Sequence, residues 1–417
     1  MNYIEKDIVI IGGGPAGLAA ALGAKAQAQS QGDTNCSILI VERNELLGGI
    51  LLQCIHDGFG LHIFKEILTG PEYSQRYEDE VYDSNIEIMT NSYATQIADG
   101  TMTLNSKSGY IGIRYKTVIF AMGCRERTAF NIGVAGTHPS GVYTAGTVQN
   151  LVNLQNIKVG SRVVIVGSGD IGLIMARRLT LEGAKVLGVY EILPYPSGLL
   201  RNVQQCLNDF DIPLHLQKSV TRIHGYPALT AVTISDFDEH LCLTGTSRTI
   251  DCDTLILAVG LLPEIELLPS GTKIYENTNG AYVNENNMTS HDGLFCCGNV
   301  LHVNDLVDWV SLESEYTGKC AYDYIMGDQV CACDIKVTAG SGISYVTPNT
   351  VSGTKDVTFA MRVKTPHYDG GDITFMNGQT ILHTKHFDRL IPAEMIHIKL
   401  SKEEISLAKR IVVQLNE

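Results

Sequence analysis

The sequence predicts an α/β protein built from two nested copies of one strand–turn–helix–strand unit, followed by a small β-rich domain. Three observations support this fold class. A glycine-rich turn follows an apolar run near the N-terminus, and the same pattern returns at residues 162–191. Beyond residue 330 the chain changes to short alternating runs of Val, Thr and Ile with Gly and Asn turns. Such alternation is typical of half-buried strands.

In the first copy, the apolar residues 8–11 lead directly into a G-x-G-x-x-G turn and an Ala-rich helical segment over residues 18–28. The first glycine of such a turn permits a tight bend, the second leaves room for a phosphate, and the third lets the helix pack on the strand. The helix N-terminus attracts the phosphate as well. The predicted contact positions are Gly12, Gly14, Pro15, Ala16 and Gly17.

A second strand, residues 37–41, ends at Glu42 and Arg43, which are further predicted contacts. A carboxylate at this place can accept hydrogen bonds from both hydroxyls of a ribose. Glu42 lies 25 residues beyond Gly17, somewhat more than the usual spacing of about 20, and the polar loop 29–35 accommodates the excess. Strand, turn, helix, strand and acid in this order indicate a dinucleotide-binding site.

The second copy is complete as well. A strand at residues 162–166 precedes a second G-x-G-x-x-G turn, a helix at 173–182 and a strand at 185–190. Glu191 follows 19 residues after the last glycine. The predicted contacts here are Gly167, Gly169, Asp170, Ile171, Gly172 and Glu191. Two similar apolar strands close on Gly123 and Gly260, so the second copy is expected to be inserted within the first.

These patterns place the first Rossmann-like domain at residues 1–126 and 252–330, the second at 127–251, and the β-rich domain at 331–417. Three helices are expected besides the two after the turns. One spans residues 65–84 with an interruption at Gly70-Pro71, one runs from about residue 304 to 325, and the last covers residues 402–414.

Composition restricts the function. The formal charge of −14 argues against nucleic acid and anionic membrane surfaces as partners. No apolar run is long enough for a membrane span, and no signal peptide is recognisable. The eleven cysteines favour reduced thiols and a cytoplasmic location over a disulfide framework. Cys331 and Cys333 lack the further ligands of a metal site, so none is expected.

Several motifs identify a resemblance. The strands closing as Ala-Met-Gly at residue 123 and Ala-Val-Gly at residue 260, with Gly-Leu-Phe-x-Cys-Gly-Asn at residues 293–299, resemble the two-dinucleotide-binding-domain flavoproteins of the pyridine nucleotide–disulfide oxidoreductase superfamily. The resemblance covers roughly residues 5–325. It implies domains of the three-layer ββα type, FAD at the first turn, NAD(H) at the second, and a homo-oligomer.

A narrower similarity is carried by residues 48–60, 121–127 and 298–305. These segments resemble the stand-alone FAD/NAD subunits of glycerol-3-phosphate dehydrogenase-like proteins. They are also similar to the flavin subunits of bacterial proline, opine and cyanide-forming amine dehydrogenases. The resemblance implies FAD contacts at Gly49, Gly298, Asn299 and Asp305. For Asp305 the alternative is a helix N-cap.

Cys54 and His56 follow the paired glycines and are candidate catalytic residues that touch the flavin or pass a proton. The alternative is that both are ordinary interior side chains. Only Cys36 lies within thirty residues of Cys54, and a thiol–disulfide relay needs a resolving sulfur close by. This departure from the family pattern argues against disulfide reductase activity.

The sequence therefore predicts an FAD-dependent oxidoreductase that transfers a hydride between NADH and FAD. Glu191 favours NADH over NADPH, because the next three residues, Ile-Leu-Pro, supply no cation for a 2′-phosphate. Electrons would pass to a second acceptor or a partner dehydrogenase subunit, with residues 334–400 as the docking surface. The alternatives are a self-contained NADH oxidase or reductase of oxygen, a quinone or a small organic acceptor, and a non-catalytic nucleotide sensor.

Overall fold

The computed structural model describes residues 3–98, 100–327 and 332–416. The chain divides into two compact units. The first unit comprises the residues up to Cys124 together with those from Pro263 onward, and the second comprises Arg125–Leu262. Cys331 of the Cys-x-Cys pair lies outside the described residues.

The N-terminal part of the first unit contains eight strands and two helices among the described residues. In chain order they are β1 (Tyr3–Ile11), α1 (Pro15–Ser30), β2 (Ile38–Val41), β3 (Asp57–Phe59), β4 (Leu68–Thr69), α2 (Gly70–Asp83), β5 (Glu87–Met89), β6 (Ser92–Ala98), β7 (Thr101–Ser106) and β8 (Gly109–Phe120). A 3₁₀ turn, Gly49–Gln53, lies between β2 and β3.

The chain from Cys124 to Pro263 contains the elements of the second unit. They are β9 (Cys124–Glu126), β10 (Ala135–Gly136), β11 (Val142–Thr144), α3 (Ala145–Asn153), β12 (Arg162–Val166), α4 (Asp170–Leu181), β13 (Lys185–Tyr190), α5 (Leu200–Cys206), β14 (Leu214–His215), β15 (Lys218–His224), β16 (Ala231–Phe237), β17 (Leu243–Asp251), β18 (Thr254–Leu257) and β19 (Leu261–Pro263). A 3₁₀ turn spans Asn208–Phe210.

The remaining elements return to the first unit. They are β20 (Ile274–Tyr275), β21 (Gly280–Ala281), β22 (Leu294–Cys296), α6 (Val307–Ile325), β23 (Ile335–Ala339), β24 (Ile343–Thr347), β25 (Thr350–Val351), β26 (Val357–Val363), β27 (Gly371–Asn377), β28 (Thr380–Phe387), β29 (Ile396–Leu400), α7 (Lys402–Ile405) and β30 (Arg410–Asn416). A 3₁₀ turn, Gly298–Val300, follows β22.

The main sheet of the first unit has a parallel core in the order β5-β2-β1-β8, and β22 extends it beside β8. Ile119 of β8 lies opposite Ile10 of β1 on one side and Phe295 of β22 on the other. The other half of β8 pairs antiparallel with β7, and β7 with β6. Strands β6, β7 and β8 thus form a β-meander, and the carboxyl ends of the parallel strands share one edge.

The alternation of β1 separates the two faces of this sheet. Ile8 and Ile10 pack under α1, α2 and α6, whereas Val9 and Ile11 pack on the side of β6 and β7. Helices α1 and α6 approach closely because each has a glycine at the contact. A Cβ on Gly318 would lie 2.0 Å from the carbonyl oxygen of Ala20. The helix layer, parallel sheet and meander form the three-layer ββα arrangement.

The second unit repeats the architecture. Its parallel sheet has the order β11-β18-β12-β13-β14, with α3, α4 and α5 packed on one face. A four-stranded sheet, β10-β15-β16-β17, packs on the other face. The predicted strand, helix and strand around the second glycine turn are confirmed within a few residues.

The C-terminal region consists of two sheets with their own apolar core, in the orders β25-β23-β30-β27-β28 and β24-β26-β29. The β-rich texture was predicted, but the helix at residues 402–414 is wrong. Helix α7 ends at Ile405, and β30 lies between β23 and β27. Ile411, Val413 and Leu415 of β30 are all buried, so the period is two, and β-branched residues favour the strand.

The helix expected over residues 65–84 is wrong in its first turn. Leu68 and Thr69 form strand β4, and Thr69 caps α2 through a capping box with Glu72. Pro71 lies in the first turn, where a missing N–H costs nothing, so it starts the helix instead of interrupting it. No helix among the described residues is both long and apolar enough to cross a membrane.

Candidate functional site

The first glycine turn lies at the carboxyl edge of the main sheet, where parallel sheets bind their ligands. Gly12 has φ +108°, and a Cβ there would lie 2.4 Å from the carbonyl oxygen of Ala121. A Cβ on Gly17 would lie 1.8 Å from the carbonyl oxygen of Gly12. Both positions therefore exclude any side chain, for the reasons that the G-x-G-x-x-G pattern predicts.

The second glycine of this turn is open. The nearest atom to a Cβ on Gly14 is the Cα of Gly49, at 3.8 Å. Gly14 is also the N-cap of α1, and no side chain caps the helix; Pro15 occupies the first turn and Ala16 is buried behind it. An uncapped helix N-terminus with room beside its N-cap glycine fits a pyrophosphate group.

Glu42 lies beside this turn and is buried. Its Oε2 accepts a hydrogen bond from the N–H of Gly13 at 2.7 Å, and its Oε1 accepts one from the N–H of Asn44 at 2.7 Å. A carboxylate can accept about four hydrogen bonds, so each oxygen of Glu42 keeps capacity for one ribose hydroxyl. Arg43 is exposed directly after it.

The paired glycines approach the same turn. The N–H of Gly48 donates to the carbonyl oxygen of Gly13 at 2.8 Å, and a Cβ on Gly49 would lie 3.1 Å from the Cα of Gly14. Both have positive φ, +95° and +56°, in the region that favours glycine. The structure thus brings a second backbone segment over the predicted pyrophosphate position.

Cys54 and His56 continue from that segment. Cys54 directly follows the 3₁₀ turn, is partly exposed, and its thiol lies 3.3 Å from the carbonyl oxygen of Ile50. Nδ1 of His56 lies 3.0 Å from the carbonyl oxygen of Asp57, and its ring centroid lies 5.1 Å from that of Phe59. Both side chains stand on the stretch that leaves the glycine pair, and their catalytic role stays a prediction.

Gly298 and Asn299 follow β22 at the same edge. A Cβ on Gly298 would lie 2.7 Å from the Cβ of Ala16, so this turn packs on the start of α1. The side-chain oxygen of Asn299 accepts from the N–H of Asn304 at 3.0 Å, which closes the loop between them. The late motif therefore lies next to the first glycine turn.

Glu313 and His302 support this loop and were missed by the sequence analysis. The N–H of Gly298 donates to Oε1 of Glu313 at 2.7 Å, and Oε2 of the same carboxylate pairs with Nε2 of the buried His302. Nδ1 of His302 has no partner among the described residues. Glu313 reaches the turn because helix α6 packs beside it. No spacing in the local sequence could therefore have indicated this contact.

Asp305 precedes α6, and its N-cap alternative is wrong, because Leu306 occupies the N-cap. The Asp305 carboxylate instead accepts from Arg362 at 3.1 Å and from the N–H of Met395 at 3.1 Å. Asp308, in the first turn of α6, is buried and accepts from the N–H groups of Gly60 and Ile63.

The second glycine turn repeats the geometry of the first. Gly167 has φ +96°, and a Cβ there would lie 2.1 Å from the carbonyl oxygen of Ala258. A Cβ on Gly172 would lie 2.5 Å from the carbonyl oxygen of Gly167. Gly169 is open, with Oγ of Ser197 the nearest atom at 4.0 Å, and it forms the N-cap of α4 without side-chain capping.

Glu191 is buried beside this turn. Its Oε2 accepts from the N–H of Ser168 at 2.9 Å, from the Ser168 hydroxyl at 2.6 Å and from the Ser197 hydroxyl at 2.8 Å. Its Oε1 accepts from the N–H of Leu193 at 3.1 Å. The two serines were missed, since the pattern leaves residue 168 unspecified and residue 197 lies in a loop.

Other predicted contacts lie close by in each unit. Asp170 accepts from the N–H of Leu199 at 2.9 Å and the amide of Asn202 at 2.6 Å, and Ile171 is partly buried. Gly260 accepts at its carbonyl from the N–H of Arg127 at 3.0 Å. In the first unit, Gly123 has φ +73° and open space around its Cβ position.

The cysteines of the described residues are all free thiols, and no group of three or more metal-ligating side chains occurs there. Burial raises the pKa of Cys36 to about 11 and that of Cys297 to about 12. Because the thiolate is the reactive form, burial disfavours the reactive form of these two interior cysteines at neutral pH.

Solved structures share this fold. Thioredoxin reductase of T. acidophilum superposes with a TM-score of 0.62 at 23% identity, covering 77% of this chain and 99% of that one. L-proline dehydrogenase of P. horikoshii superposes with a TM-score of 0.52 at 17% identity, covering 78% of this chain and 56% of that one.

Curated relatives are similar in sequence. A CoA-dependent NAD(P)H sulfur oxidoreductase of Pyrococcus abyssi is 26% identical over 326 residues, which are 74% of this chain and 66% of the relative. Hydrogen cyanide synthase subunit HcnB of Pseudomonas protegens is 27% identical, over 62% of this chain and 57% of the relative. The alignments thus span two thirds or less of these two relatives.

The profile of one protein family, described as pyridine nucleotide-disulphide oxidoreductase, matches residues 6–316. The match includes both glycine turns, both glutamates and the Gly298 loop, and it ends before the C-terminal sheets. The chain therefore belongs to the pyridine nucleotide-disulphide oxidoreductase family, whose members bind FAD and NAD(P)H.

Proposed function

We propose that the protein is an FAD-dependent oxidoreductase that exchanges a hydride with NADH. The observation that carries the proposal is the pair of complete glycine turns, each with an uncapped helix N-terminus and a buried glutamate beside it. The bound flavin and nicotinamide supply the hydride chemistry, and the protein supplies binding, orientation and electrostatics.

The first turn is the proposed FAD site, because two further backbone segments converge on it. Gly49 lies against Gly14, and Gly298 packs on Ala16. A large cofactor needs such additional walls beyond the pyrophosphate cradle. The proposed FAD contacts are Gly12, Gly14, Pro15, Ala16, Gly17, Glu42, Arg43, Gly49, Gly123, Gly298, Asn299 and Asp305.

The second turn is the proposed NADH site. Glu191 would accept hydrogen bonds from the ribose hydroxyls and repel a 2′-phosphate. The next residues, Ile192, Leu193 and Pro194, supply no cation that could bind such a phosphate. The proposed contacts are Gly167, Gly169, Asp170, Ile171, Gly172, Glu191 and Gly260. This charge pattern favours NADH over NADPH.

The electron acceptor is proposed to be a partner dehydrogenase subunit of the glycerol-3-phosphate dehydrogenase-like kind. Similarity to HcnB, which is itself named as a subunit, supports an assembly of this type. We place the protein in the cytoplasm as a homo-oligomer. Cys54 and His56 are proposed to lie beside the flavin, where an imidazole could move a proton.

An anaerobic titration of the FAD-loaded protein tests the central proposal. We expect NADH to bleach the flavin absorbance and NADPH to do so much less efficiently. Glu191→Gln is the matched variant. It should narrow the difference between the efficiencies with which NADH and NADPH bleach the flavin. If neither nucleotide bleaches the wild-type flavin, the proposed hydride transfer is wrong and the nucleotide-sensor alternative gains support.

The partner proposal needs a separate measurement, which is NADH oxidation by the isolated protein in air. A slow rate that rises with an artificial electron acceptor fits a subunit that hands electrons on. Rapid turnover with oxygen alone would instead support the self-contained oxidase.

A further inference from the structure

The C-terminal sheets make specific contacts with the remainder of the first unit. The N–H of Val283 donates to the side-chain oxygen of Asn349 at 2.9 Å, and the N–H of Asn349 donates back to the carbonyl oxygen of Val283 at 2.9 Å. The N–H of Ser352 donates to Glu285 at 2.8 Å. These bonds hold the C-terminal sheets against the segment that leads into β22.

Arg362 of β26 contacts the loop that follows the Gly298 turn. Its Nη2 donates to the carbonyl oxygen of Val303 at 3.1 Å and to the Asp305 carboxylate at 3.1 Å. Its Nη1 donates to the carbonyl oxygens of Pro392 and Ala393. The side chains of Arg362 and Asp305 are only 16% and 10% exposed, so the ion pair is largely shielded from water.

The remaining donor of Arg362 is engaged as well. Nε donates to the hydroxyl of Tyr345 at 3.2 Å, and Asp305 receives a second bond from the N–H of Met395 at 3.1 Å. A planar guanidinium with acceptors on several sides is held in one orientation, which a lysine cannot reproduce. The cluster is therefore built to fix the backbone at residues 303–305.

This backbone belongs to the loop that starts at the Gly298 turn. Gly298 packs on Ala16 at the N-terminus of α1, and Asn299 closes the loop through the N–H of Asn304. On the other side of the loop, Trp309 in the first turn of α6 stacks on His397 of β29, with ring centroids 4.0 Å apart. Both ends of the segment 303–309 are thus held by the C-terminal sheets.

We propose that Arg362 is a positioning residue of the flavin site, acting through Asp305 and Val303 on the loop that carries Asn299. The C-terminal sheets are then a structural part of this site, in addition to any surface they offer to a partner. The inference rests on the proposed function only in assigning FAD to the first glycine turn.

The test is a double-mutant cycle in the full-length protein, with Arg362→Met, Asp305→Asn and the combination. FAD affinity is measured by flavin fluorescence, and the flavin environment by visible circular dichroism. Arg389→Met is the matched control, because Arg389 pairs with Glu394 in an exposed ion pair of the same region. If Arg362→Met does not fold, Arg362→Lys takes its place.

We expect each single variant to weaken FAD binding at least about fivefold and to change the visible circular dichroism. The double variant should bind FAD only slightly more weakly than the single variant with the lower affinity. Arg389→Met should match the wild type. Unchanged affinity and dichroism in Arg362→Met, or strictly additive effects with Asp305→Asn, would overturn the inference. A wild type that binds FAD but is not reduced by NADH would remove the proposed function and leave this inference standing.

Discussion

The two glycine turns of this protein have nearly the same backbone and different polar surroundings. In each, the first and third glycines exclude a Cβ through contacts with carbonyl oxygens, whereas the second is open. In each, the buried glutamate accepts from the N–H of the residue between the first two glycines and from the N–H two residues beyond itself. Backbone requirements of the motif therefore recur in both units.

The difference lies in the donors around the glutamates. Glu42 accepts from two backbone N–H groups, and both its oxygens keep capacity for a ligand. Glu191 accepts from two serine hydroxyls as well, and three donors converge on its Oε2. A nucleotide hydroxyl that binds Oε2 of Glu191 must compete with hydroxyls of the protein. This difference suits a cofactor that stays bound at the first turn and a substrate that exchanges at the second.

We expect the largest effect, a loss of stability, when the third glycine of either turn is replaced by Ala. Gly17→Ala would place a Cβ 1.8 Å from a backbone oxygen and Gly172→Ala one at 2.5 Å. We expect the free energy of unfolding to fall by more than about 3 kcal/mol in Gly17→Ala and by roughly 1–3 kcal/mol in Gly172→Ala. Urea denaturation measures both.

The open second glycines provide the control for these variants. Gly14 and Gly169 have φ −79° and −63°, and a Cβ would meet nothing closer than 3.8 Å and 4.0 Å. Ala at either position should leave stability nearly unchanged and weaken binding, of FAD for Gly14 and of NADH for Gly169. Equal destabilisation by all four substitutions would contradict the assignment of distinct roles to these glycines.

Acid should destabilise the first unit through the mostly buried His397. Burial, with a smaller effect of His302, lowers the pKa of His397 to about 4 from an ordinary 6.5. Burial also lowers the pKa of His215 in the second unit. Between pH 6.5 and about 4 the unfolded chain binds a proton that native His397 does not. The free energy of unfolding therefore decreases as the pH is lowered through this range, by up to about 3 kcal/mol.

The measurement is denaturation at neutral and acid pH, followed by the fluorescence of Trp309, which is the single tryptophan of the sequence and stacks on His397. His397→Phe keeps an aromatic ring and should flatten the pH dependence. His215→Phe, in the second unit, should leave the Trp309 transition as it is in the wild type. An unaltered acid dependence in His397→Phe would exclude this histidine as its cause.

Replacing the glutamates should separate the two ligands. Glu42→Gln is expected to weaken FAD binding by about tenfold or more, because charge-assisted hydrogen bonds contribute roughly 1.5–3 kcal/mol. Glu191→Gln should leave FAD bound and raise KM for NADH by a similar factor. Equilibrium binding of FAD and steady-state kinetics with NADH measure the two effects. Loss of FAD in Glu191→Gln would contradict the assignment of ligands to turns.

The parts predicted from sequence are those that local pattern controls. Both glycine turns, their strands and helices and the acid after each second strand appear where spacing placed them, because each depends on neighbouring residues. The prediction of a helix at residues 402–414 is wrong, because the local pattern determines only its first turn. Ser401 and Glu404 form a real capping box, but the following residues of β30 alternate, and pairing with β23 and β27 determines their structure.

The side chains that support the loop after β22 could not be predicted in this way. Glu313 reaches the N–H of Gly298 from the next helix, and Arg362 reaches Asp305 from 57 residues further along the chain. Such contacts depend on how elements pack, and a single sequence contains no spacing rule for them. Asp305 was selected by resemblance, and its tertiary partner became visible only in the structure.

The smallest expected effect tests the competition at Glu191. Ser197→Ala removes one of the three donors to Oε2 and leaves the Ser168 contacts in place. If ribose hydroxyls compete with the serine, the variant should bind NADH more tightly, by up to about tenfold, which corresponds to one hydrogen bond of roughly 0.5–1.5 kcal/mol. FAD affinity should not change, and Ser30→Ala in α1, whose hydroxyl bonds the carbonyl oxygen of Gln27, serves as the neutral control. Weaker NADH binding in Ser197→Ala would mean that this hydroxyl helps hold the nucleotide. The serine hydroxyls at the second turn would then add contacts to the ligand instead of competing with it for Glu191.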